Sequence, residues 1–414
     1  MKKSETKFLK NIINKYSKKN RKMSGYPLTS FPFETEDIVN GTETLLKGKI
    51  TMSDITRKFE FEFAKFLKVK HALMVNSGSS ANLLALASFN FKKGSEIITP
   101  TLTFSTTVSP IYQLGLIPHF IGVLENKFIA DTEQIEKCIN KRTVAVMIPN
   151  LLGNIPKWGV IYKIAKKYNL KVIEDSADTI GYLVNNKNLG KYSDITTNSF
   201  YASHIINGAG FGGIACFNNF ELYQRAKLLR GWGRSSATFD ESEEIEDRFD
   251  VKISGIDYDK KYIFSKLGYN FLPSEISAAF AIEQIKKLNQ NIKLREYNFM
   301  FLKKFFESYR NIFKLPEMHK YVKTPWLAFP LVLKKNNFFD RKNMQIFFEK
   351  NNIQTRTIFT GNILRQPVMK NKKYKKHPEC NKIADDVMKN GILLGCHQGM
   401  NKSDLNFICN VFKK

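Results

Sequence analysis

Short apolar runs alternate with helical patterns between about residues 70 and 217. Runs rich in apolar and β-branched residues predict strands at 71–75, 96–99, 118–123, 144–149, 171–175, 196–201 and 213–217. Helical spacing predicts crossover helices at 81–89, 132–139 and 160–168. Strands that alternate with helices in this way are typical of a mostly parallel sheet buried on both faces. The pattern therefore predicts an α/β fold.

The pattern changes after residue 235. Residues 235–262 are polar and acidic, which indicates a surface excursion or a lid, and 273–306 form a long helical pattern. A helix at 341–351, a strand at 355–359 and a helix at 385–389 then indicate a smaller α+β unit. We expect an N-terminal segment at 1–45, a large domain at 46–285 and a small C-terminal domain at 286–414.

The N-terminal segment is basic and carries Phe8, Ile12 and Tyr16 at every fourth position. This spacing predicts an amphipathic helix packed against the body of the protein. The segment has no continuous apolar stretch and no small-residue cleavage site, so we do not expect a secretory signal. No apolar run approaches the ~18 residues of a membrane span.

Charge and cysteine content refine this picture. The 65 lysines and arginines exceed the 38 acidic residues, which gives a net charge of +27. The lysines are spread along the chain, so we favour solvated faces over a nucleic-acid site, although the charge would attract an anionic substrate. The five scattered cysteines show no metal or redox spacing. This predicts reduced thiols in a cytoplasmic protein and no metal site.

Three polar motifs follow predicted strands. Residues 76–82, Asn-Ser-Gly-Ser-Ser-Ala-Asn, open a helix and would suit a phosphate, although a simple helix cap gives the same pattern. Residues 174–178, Glu-Asp-Ser-Ala-Asp, end a strand at the edge where open α/β sheets bind ligands. An aspartate that only caps the strand–helix turn explains this motif equally well. Residues 199–204, Ser-Phe-Tyr-Ala-Ser-His, precede the glycine-rich turn at 208–213.

In this order and spacing, the three motifs resemble the DegT/DnrJ/EryC1/StrS sugar aminotransferase family from about residue 25 to the C-terminus. The resemblance implies an aspartate aminotransferase-like fold, that of fold type I pyridoxal phosphate (PLP) enzymes. It implies a homodimer that binds PLP or its amine form, PMP. Contacts to the cofactor would come from Gly78, Ser79, Ser80 and Ser199 at the phosphate, Phe104 against the ring, Asp175 at the pyridine nitrogen, Asp178 near the ring hydroxyl, and Asn270 at the phosphate of the neighbouring subunit.

One position departs from the aminotransferases. Five residues after Ser199 they carry the lysine that links covalently to the cofactor, and this chain has His204. Within the family, histidine here marks the sugar-nucleotide 3-dehydratases. Stretches at 148–154, 231–234, 281–288, 360–362 and 390–398 resemble the GDP-4-keto-6-deoxymannose 3-dehydratases. Two positions differ from what the resemblance leads us to expect in close relatives, namely Ser203, where a second histidine is expected, and Phe211, where an acidic residue is expected.

Two short stretches, 267–270 and 365–367, are also similar to the CDP-sugar 3-dehydrases, which carry an iron–sulfur cluster. At the positions that match that cluster's cysteines, this chain has Ser235 and Ser236 after the GWGR stretch, and Ser176 and Ala177 in the strand turn. No sulfur ligand is therefore present at the cluster positions. The resemblance implies an enzyme that works without such a cluster.

The resemblance implies that this chain removes the 3-hydroxyl of a GDP- or CDP-linked 4-keto-6-deoxyhexose, as a lyase of deoxysugar and lipopolysaccharide biosynthesis. PMP would be held non-covalently, His204 would transfer protons, and glutamate would regenerate the amine form. Arg356, Asn362 and Arg365 are candidate sugar-nucleotide contacts, because arginine suits a diphosphate. Two alternatives remain open, namely a sugar-nucleotide aminotransferase that uses another lysine, and a non-catalytic member of the fold that binds sugar nucleotide.

Overall fold

The computed structural model describes residues 2–20, 25–29, 33–185, 192–239, 245–335 and 339–413. Its α-helices are α1 (Lys3–Asn20), α2 (Thr35–Leu46), α3 (Asp54–Leu67), α4 (Gly78–Ser88), α5 (Ser105–Gln113), α6 (Thr132–Cys138), α7 (Trp158–Lys167), α8 (Phe220–Arg230), α9 (Ile245–Phe249), α10 (Glu275–Phe306), α11 (Arg341–Lys350), α12 (Lys382–Asn390) and α13 (Lys402–Phe412). Its strands are β1 (His71–Val75), β2 (Glu96–Pro100), β3 (Ile117–Ile121), β4 (Thr143–Pro149), β5 (Lys171–Asp175), β6 (Leu183–Val184), β7 (Ile195–Ser199), β8 (Gly213–Phe217), β9 (Lys252–Ile253), β10 (Ile256–Asp257), β11 (Phe313–Lys314), β12 (Val322–Lys323), β13 (Ala328–Leu333), β14 (Lys375–Lys376) and β15 (Gly391–Gly395).

An eight-stranded sheet forms the centre of the large unit, in the order β1-β8-β7-β5-β4-β2-β3-β14. Strand β8 runs antiparallel to both of its neighbours, and the other neighbouring pairs are parallel. Helices cover both faces, so β2 and β8 are buried along their whole length. The predicted α/β fold with a mostly parallel sheet is confirmed, and the predicted strands lie within two residues of the observed ones.

A second sheet, in the order β11-β13-β15, lies in the C-terminal part of the chain. All six residues of β13 are buried. Phe299 of α10 stacks on Trp326 with ring centroids 4.2 Å apart, in one apolar cluster with the buried residues of this sheet. Strand β14, which comes from this part of the chain, pairs with β3 and so extends the large sheet.

The predicted strand at 355–359 is wrong. Only Arg356 pairs with a strand, through two backbone hydrogen bonds to Leu393 of 3.2 and 2.7 Å. Phe359 then takes a left-handed backbone conformation, with φ of 45°, and Gly361 does the same with φ of 63°. These angles turn the chain away from the sheet, so the apolar run packs as a loop.

The N-terminal helix is present as α1, but its predicted packing face is wrong. Phe8 and Tyr16 are 67% and 62% exposed, and Ile12 is also exposed. The helix is attached through buried Ile13 and through polar contacts to α2, such as Lys10 to Glu36 at 3.1 Å. The face of α1 that contacts the rest of the chain is therefore the one that carries Ile13, which is next to the apolar stripe and not the stripe itself.

The acidic segment at 235–262 contains α9 and the short hairpin of β9 and β10, whose residues are exposed. Residues 240–244 of this segment lie outside the described residues. None of the described helices is both long enough and apolar enough to cross a membrane.

Candidate active site

A cavity of about 370 Å³ opens at the carboxyl ends of the central strands, the edge where open α/β sheets bind ligands. Its walls come from the segments after β1, β2, β4, β5 and β7, and from residues near β13. Seven residues predicted from the sequence line this one cavity: Gly78, Ser79, Phe104, Asp175, Asp178, Ser199 and His204. The fold therefore brings together the three motifs that are far apart in the sequence.

Asp175 is the buried carboxylate of the cavity. Its Oδ2 accepts hydrogen bonds of 2.8 Å from Asn82 Nδ2 and from Thr107 Oγ1, and its Oδ1 accepts one of 3.2 Å from the Ala177 amide. Burial raises the pKa of Asp175, because the charged carboxylate loses its hydration, and these neutral donors only partly oppose that effect. A cation bound beside Asp175 would supply the missing charge partner.

The carboxylate of the preceding residue, Glu174, lies on the opposite face of the sheet from Asp175. Its Oε1 accepts hydrogen bonds from Asn150, Ser176 and Tyr182 at 2.6–2.8 Å. Burial raises its pKa as well. Because side chains alternate along a strand, Glu174 points away from the cavity that Asp175 lines. Its network ties the loop after β4 to the loop after β5.

His204 and Asp178 face each other across the cavity. Asp178 Oδ2 accepts a hydrogen bond of 2.8 Å from the Leu152 amide, and Asp178 Oδ1 lies 3.7 Å from His204 Nε2. The other ring nitrogen, His204 Nδ1, is buried and has no hydrogen-bond partner within the part of the chain that the structure describes. The backbone amide of His204 donates to Tyr201 at 2.9 Å. The imidazole thus lies at the cavity wall with Nε2 near the Asp178 carboxylate and Nδ1 buried.

The N-terminus of α4 forms the polar end of the cavity. Ser77 caps the helix, since its Oγ accepts from the Ser80 amide at 3.1 Å. Gly78 allows the helix to approach β7, because a Cβ at Gly78 would lie 2.5 Å from Ser199 Cβ. The helix N-terminus and the two serine hydroxyls of Ser79 and Ser199 make a cradle suited to a phosphate.

A second cavity of about 510 Å³ adjoins the first one. Phe104, Ser203, Leu327 and Phe359 line both cavities. Arg356 lies on the wall of the second cavity, with an exposed side chain whose Nη1 donates to the Thr355 carbonyl at 2.7 Å. An extended ligand could therefore place its reacting part near His204 and an anionic part near Arg356.

The remaining predicted contacts lie outside the two cavities. Ser80 is in the first turn of α4 with its Oγ 2.9 Å from Ser77 Oγ. Asn362 is buried, and its amide donates to Asn381 and Asp385 at 2.9 and 2.7 Å.

The other two are exposed. The side chain of Arg365 forms a 2.8 Å ion pair with Asp385. Asn270 bridges to Gly231 through its backbone.

Two residues that hold Asp175 are not among the predicted site residues. Asn82 belongs to the motif at 76–82 that would suit a phosphate, yet its side chain donates to Asp175 and accepts from Thr197 at 2.6 Å. Thr107 lies in a helix start where threonine is an ordinary cap or surface residue. Neither Asn82 nor Thr107 lies in a sequence pattern that predicts this contact, because Asp175 is distant from both of them in the sequence.

The described residues fit a PLP-type cofactor. Asp175 lacks a positive partner and could hold a protonated ring nitrogen, the α4 end could hold a phosphate, and Phe104 lines the space between them. None of the described residues that line this cavity is a lysine. Lys187 and Lys191, the lysines that precede Ser199 most closely, lie outside the described residues.

Comparison with known proteins gives a consistent result. The model of the DegT/DnrJ/EryC1/StrS aminotransferase family matches residues 33–413. The lipopolysaccharide biosynthesis protein RfbH of Salmonella typhimurium is 32% identical over 383 residues, which cover 90% of this chain and 87% of that protein. An Escherichia coli GDP-4-keto-6-deoxy-D-mannose-3-dehydratase, solved with bound hydrated PLP, has a TM-score of 0.85 and 29% identity. It covers 94% of this chain and 99% of its own.

Sugar aminotransferases are similar too. A GDP-perosamine synthase of Vibrio cholerae is 29% identical over 308 residues, which cover 73% of this chain and 76% of that enzyme. The similarities thus include two kinds of enzyme that modify nucleotide-linked sugars.

Proposed function

This chain belongs to the DegT/DnrJ/EryC1/StrS aminotransferase family of PLP-dependent enzymes, and we propose that it is a 3-dehydratase of a nucleotide-linked 4-keto-6-deoxyhexose. The observation that carries this proposal is His204, which lies at the cavity in the position where the family's aminotransferases carry lysine. The similarity to RfbH and to a GDP-sugar 3-dehydratase supports a place in lipopolysaccharide or deoxysugar biosynthesis. The five free cysteines are all buried, which suits the reducing cytoplasm that we propose as its location.

In this proposal each residue has a limited task. When bound, the cofactor supplies an amine that engages the 4-keto group of the sugar and a pyridine ring that accepts electrons. Asp175 would stabilise positive charge at the ring nitrogen, and the N-terminus of α4 with Ser79 and Ser199 would hold the phosphate. Asp178 accepts from the Leu152 amide, which fixes its carboxylate opposite His204.

His204 is the base that moves protons. With cofactor and sugar bound, its imidazole would accept a proton at the reacting atoms and would deliver one to the departing 3-hydroxyl, which would leave as water, because imidazole exchanges protons near neutral pH. Over the whole reaction the 3-hydroxyl would be replaced by hydrogen and its oxygen would leave as water. An amino donor, which we propose to be glutamate, would supply the two electrons and the nitrogen that is released as ammonia. Arg356 in the adjoining cavity is the candidate contact for the diphosphate.

The test is the product. Purified protein is mixed with PMP and either GDP- or CDP-4-keto-6-deoxyhexose, and the product is measured by mass. We expect a 4-keto sugar lighter by one oxygen atom, formed equally well with an iron chelator and without a reductase, because the iron–sulfur positions carry no cysteine. A 4-amino sugar as the only product would overturn the proposal in favour of an aminotransferase.

We propose that the active protein is a homodimer in which Asn270 completes the site of the partner subunit. Asn270 is exposed and is not among the described residues that line the cavity of its own chain, and nearby Phe264 and Leu267 are 58% and 99% exposed. Tyr201 and Phe211 at the cavity are exposed as well. Apolar side chains on both segments suit burial against a second copy.

This arrangement predicts complementation between two damaged chains. A dimer that pairs an Asn270→Ala chain with a His204→Asn chain has one intact site, because both changes fall in the other site. Refolded mixtures of the two weak variants should regain about a quarter of wild-type activity, as expected for random pairing in a two-fold dimer. Mixtures that are no more active than their parents, or a fully active monomer, would show that the sites are not shared.

A further inference from the structure

Arg295 of α10 is a buried cation without an acidic partner. Its residue is 1% exposed, and burial lowers the pKa of its guanidinium to about 10. Within the part of the chain that the structure describes, no carboxylate forms an ion pair with it. A buried charge without a partner is unfavourable, so the guanidinium depends on its neutral acceptors.

Those acceptors come from three separate segments. The Nη1 atom donates to the carbonyls of Trp326 and Leu327 at 3.1 and 3.0 Å, just before β13. The Nη2 atom donates to the Ser203 carbonyl at 3.3 Å. The Nε atom donates to Gln398 Oε1 at 2.6 Å. The planar fork of arginine can reach such divergent acceptors at once, which a lysine ammonium cannot do in the same way.

Two of these acceptors belong to the walls of the site. Ser203 and Leu327 both line the cofactor cavity and the adjoining cavity. Gln398, held by Arg295, donates through its Nε2 to the Ile205 carbonyl at 3.3 Å. The residues immediately before and after His204 are therefore both tied to Arg295, one directly and one through Gln398.

We propose that Arg295 is a positioning residue for His204. Arg295 fixes the 203–205 segment against the C-terminal sheet. The imidazole of His204 is thereby held opposite Asp178 and at a constant distance from a ligand that occupies the two adjoining cavities. This inference rests on the proposed role of His204 as the base. A displacement of about 1 Å in a reacting group can reduce a rate by about 10²-fold, so a clamp of this kind has a measurable effect.

The test is a double-mutant cycle with two variants of Arg295. Arg295→Met removes the buried charge and keeps the length of the side chain, while Arg295→Lys keeps the charge and loses the fork. Alone, Arg295→Met should lower kcat by about 10²-fold with little change in KM, because positioning and not binding is lost. In a His204→Asn background the same substitution should cost less than about twofold, because there is no base left to position.

Covalent capture gives a readout that does not depend on turnover. In a His204→Lys variant, the new amine should bind PLP covalently and be fixed by borohydride, if the 203–205 segment is held in place. Adding Arg295→Met should lower the fixed fraction several-fold, and adding Arg295→Lys should lower it less. The control is Asn298→Ala, because Asn298 is also buried on α10 and donates to the His397 carbonyl at 2.8 Å. It should leave the capture unchanged.

The outcomes separate this inference from the proposed function. If His204→Asn by itself keeps full activity, the proposed function fails. A second outcome would overturn only the positioning role. In it, His204→Asn is inactive, Arg295→Met lowers the rate by the same factor in the wild-type and the His204→Asn backgrounds, and the fraction of PLP fixed by borohydride in the His204→Lys variant is unchanged. If neither Arg295 variant folds, while Asn298→Ala does, the residue acts in folding and the positioning role is likewise overturned.

Discussion

Replacing His204 by asparagine should leave a folded protein that binds its cofactor but has lost sugar deoxygenation by about 10²–10⁴-fold, the usual contribution of a positioned general base. Asparagine is smaller and polar, so it fits a site where the ring is largely buried beside Asp178. The measurement is the initial rate of 3-deoxy product, together with cofactor binding followed by absorbance. Retained binding with a lost rate would locate the defect in proton transfer.

The chain offers a matched control in His119. His119 Nδ1 lies 3.7 Å from Glu96 Oε2, the same separation as between His204 and Asp178, and its side chain is 12% exposed compared with 14% for His204. It belongs to β3 and faces the start of β2, at the opposite edge of the sheet. His119→Asn should keep wild-type activity. An equal loss in both variants would mean that histidine replacement acts through stability and not through chemistry.

Replacing Asp175 by asparagine should lower activity by about 10²–10³-fold, because it removes the charge that stabilises a protonated ring nitrogen. Cofactor affinity should fall as well, since a charge-assisted hydrogen bond is lost. Asp194→Asn is the control, because Asp194 Oδ2 accepts from the Val172 amide at 2.8 Å at the other end of the same strand. A variant of Asp175 with normal activity would remove the carboxylate from the mechanism.

The raised pKa of Asp175 also predicts a pH dependence. In the unfolded chain, Asp175 loses its proton near pH ~4, whereas in the cofactor-free folded chain the raised pKa keeps the proton to higher pH. The contribution of Asp175 to the free energy of unfolding therefore decreases as pH rises from about 4 through the raised pKa. A cation at the ring nitrogen would relieve this penalty. PLP binding should therefore raise the Tm by a larger amount at the upper end of this pH range than at its lower end. In Asp175→Asn, this increase with pH should be smaller. Identical pH profiles in both proteins would contradict the pairing.

Much of the fold could be predicted because the strands of the large sheet are buried on both faces. Continuous apolar runs such as 144–149 are then typical of strands buried on both faces, and polar motifs that follow parallel strands meet at one edge of the sheet. Asp175, Asp178 and His204 were therefore predictable as neighbours. The apolar stripe of α1 was misread, because periodicity shows that a helix has an apolar face but does not show what covers it.

Other parts of the site depend on contacts that a sequence does not display. Arg295 lies in a long helical pattern where arginine is normally a surface residue. Its acceptors are backbone carbonyls at 203, 326 and 327, which any sequence provides. Likewise, the loop that replaced the predicted strand at 355–359 is set by left-handed angles at Phe359 and Gly361. Only the folded chain brings these groups together.

The central claim is that His204 leaves the cofactor without a covalent link to the protein. Wild-type protein incubated with PLP is treated with borohydride, denatured and analysed by mass, beside the His204→Lys variant as a positive control. We predict an unmodified wild-type chain and a modified variant chain, because the described cavity wall contains no lysine. A wild-type chain that carries the reduced cofactor on another lysine would contradict the claim and indicate an aminotransferase.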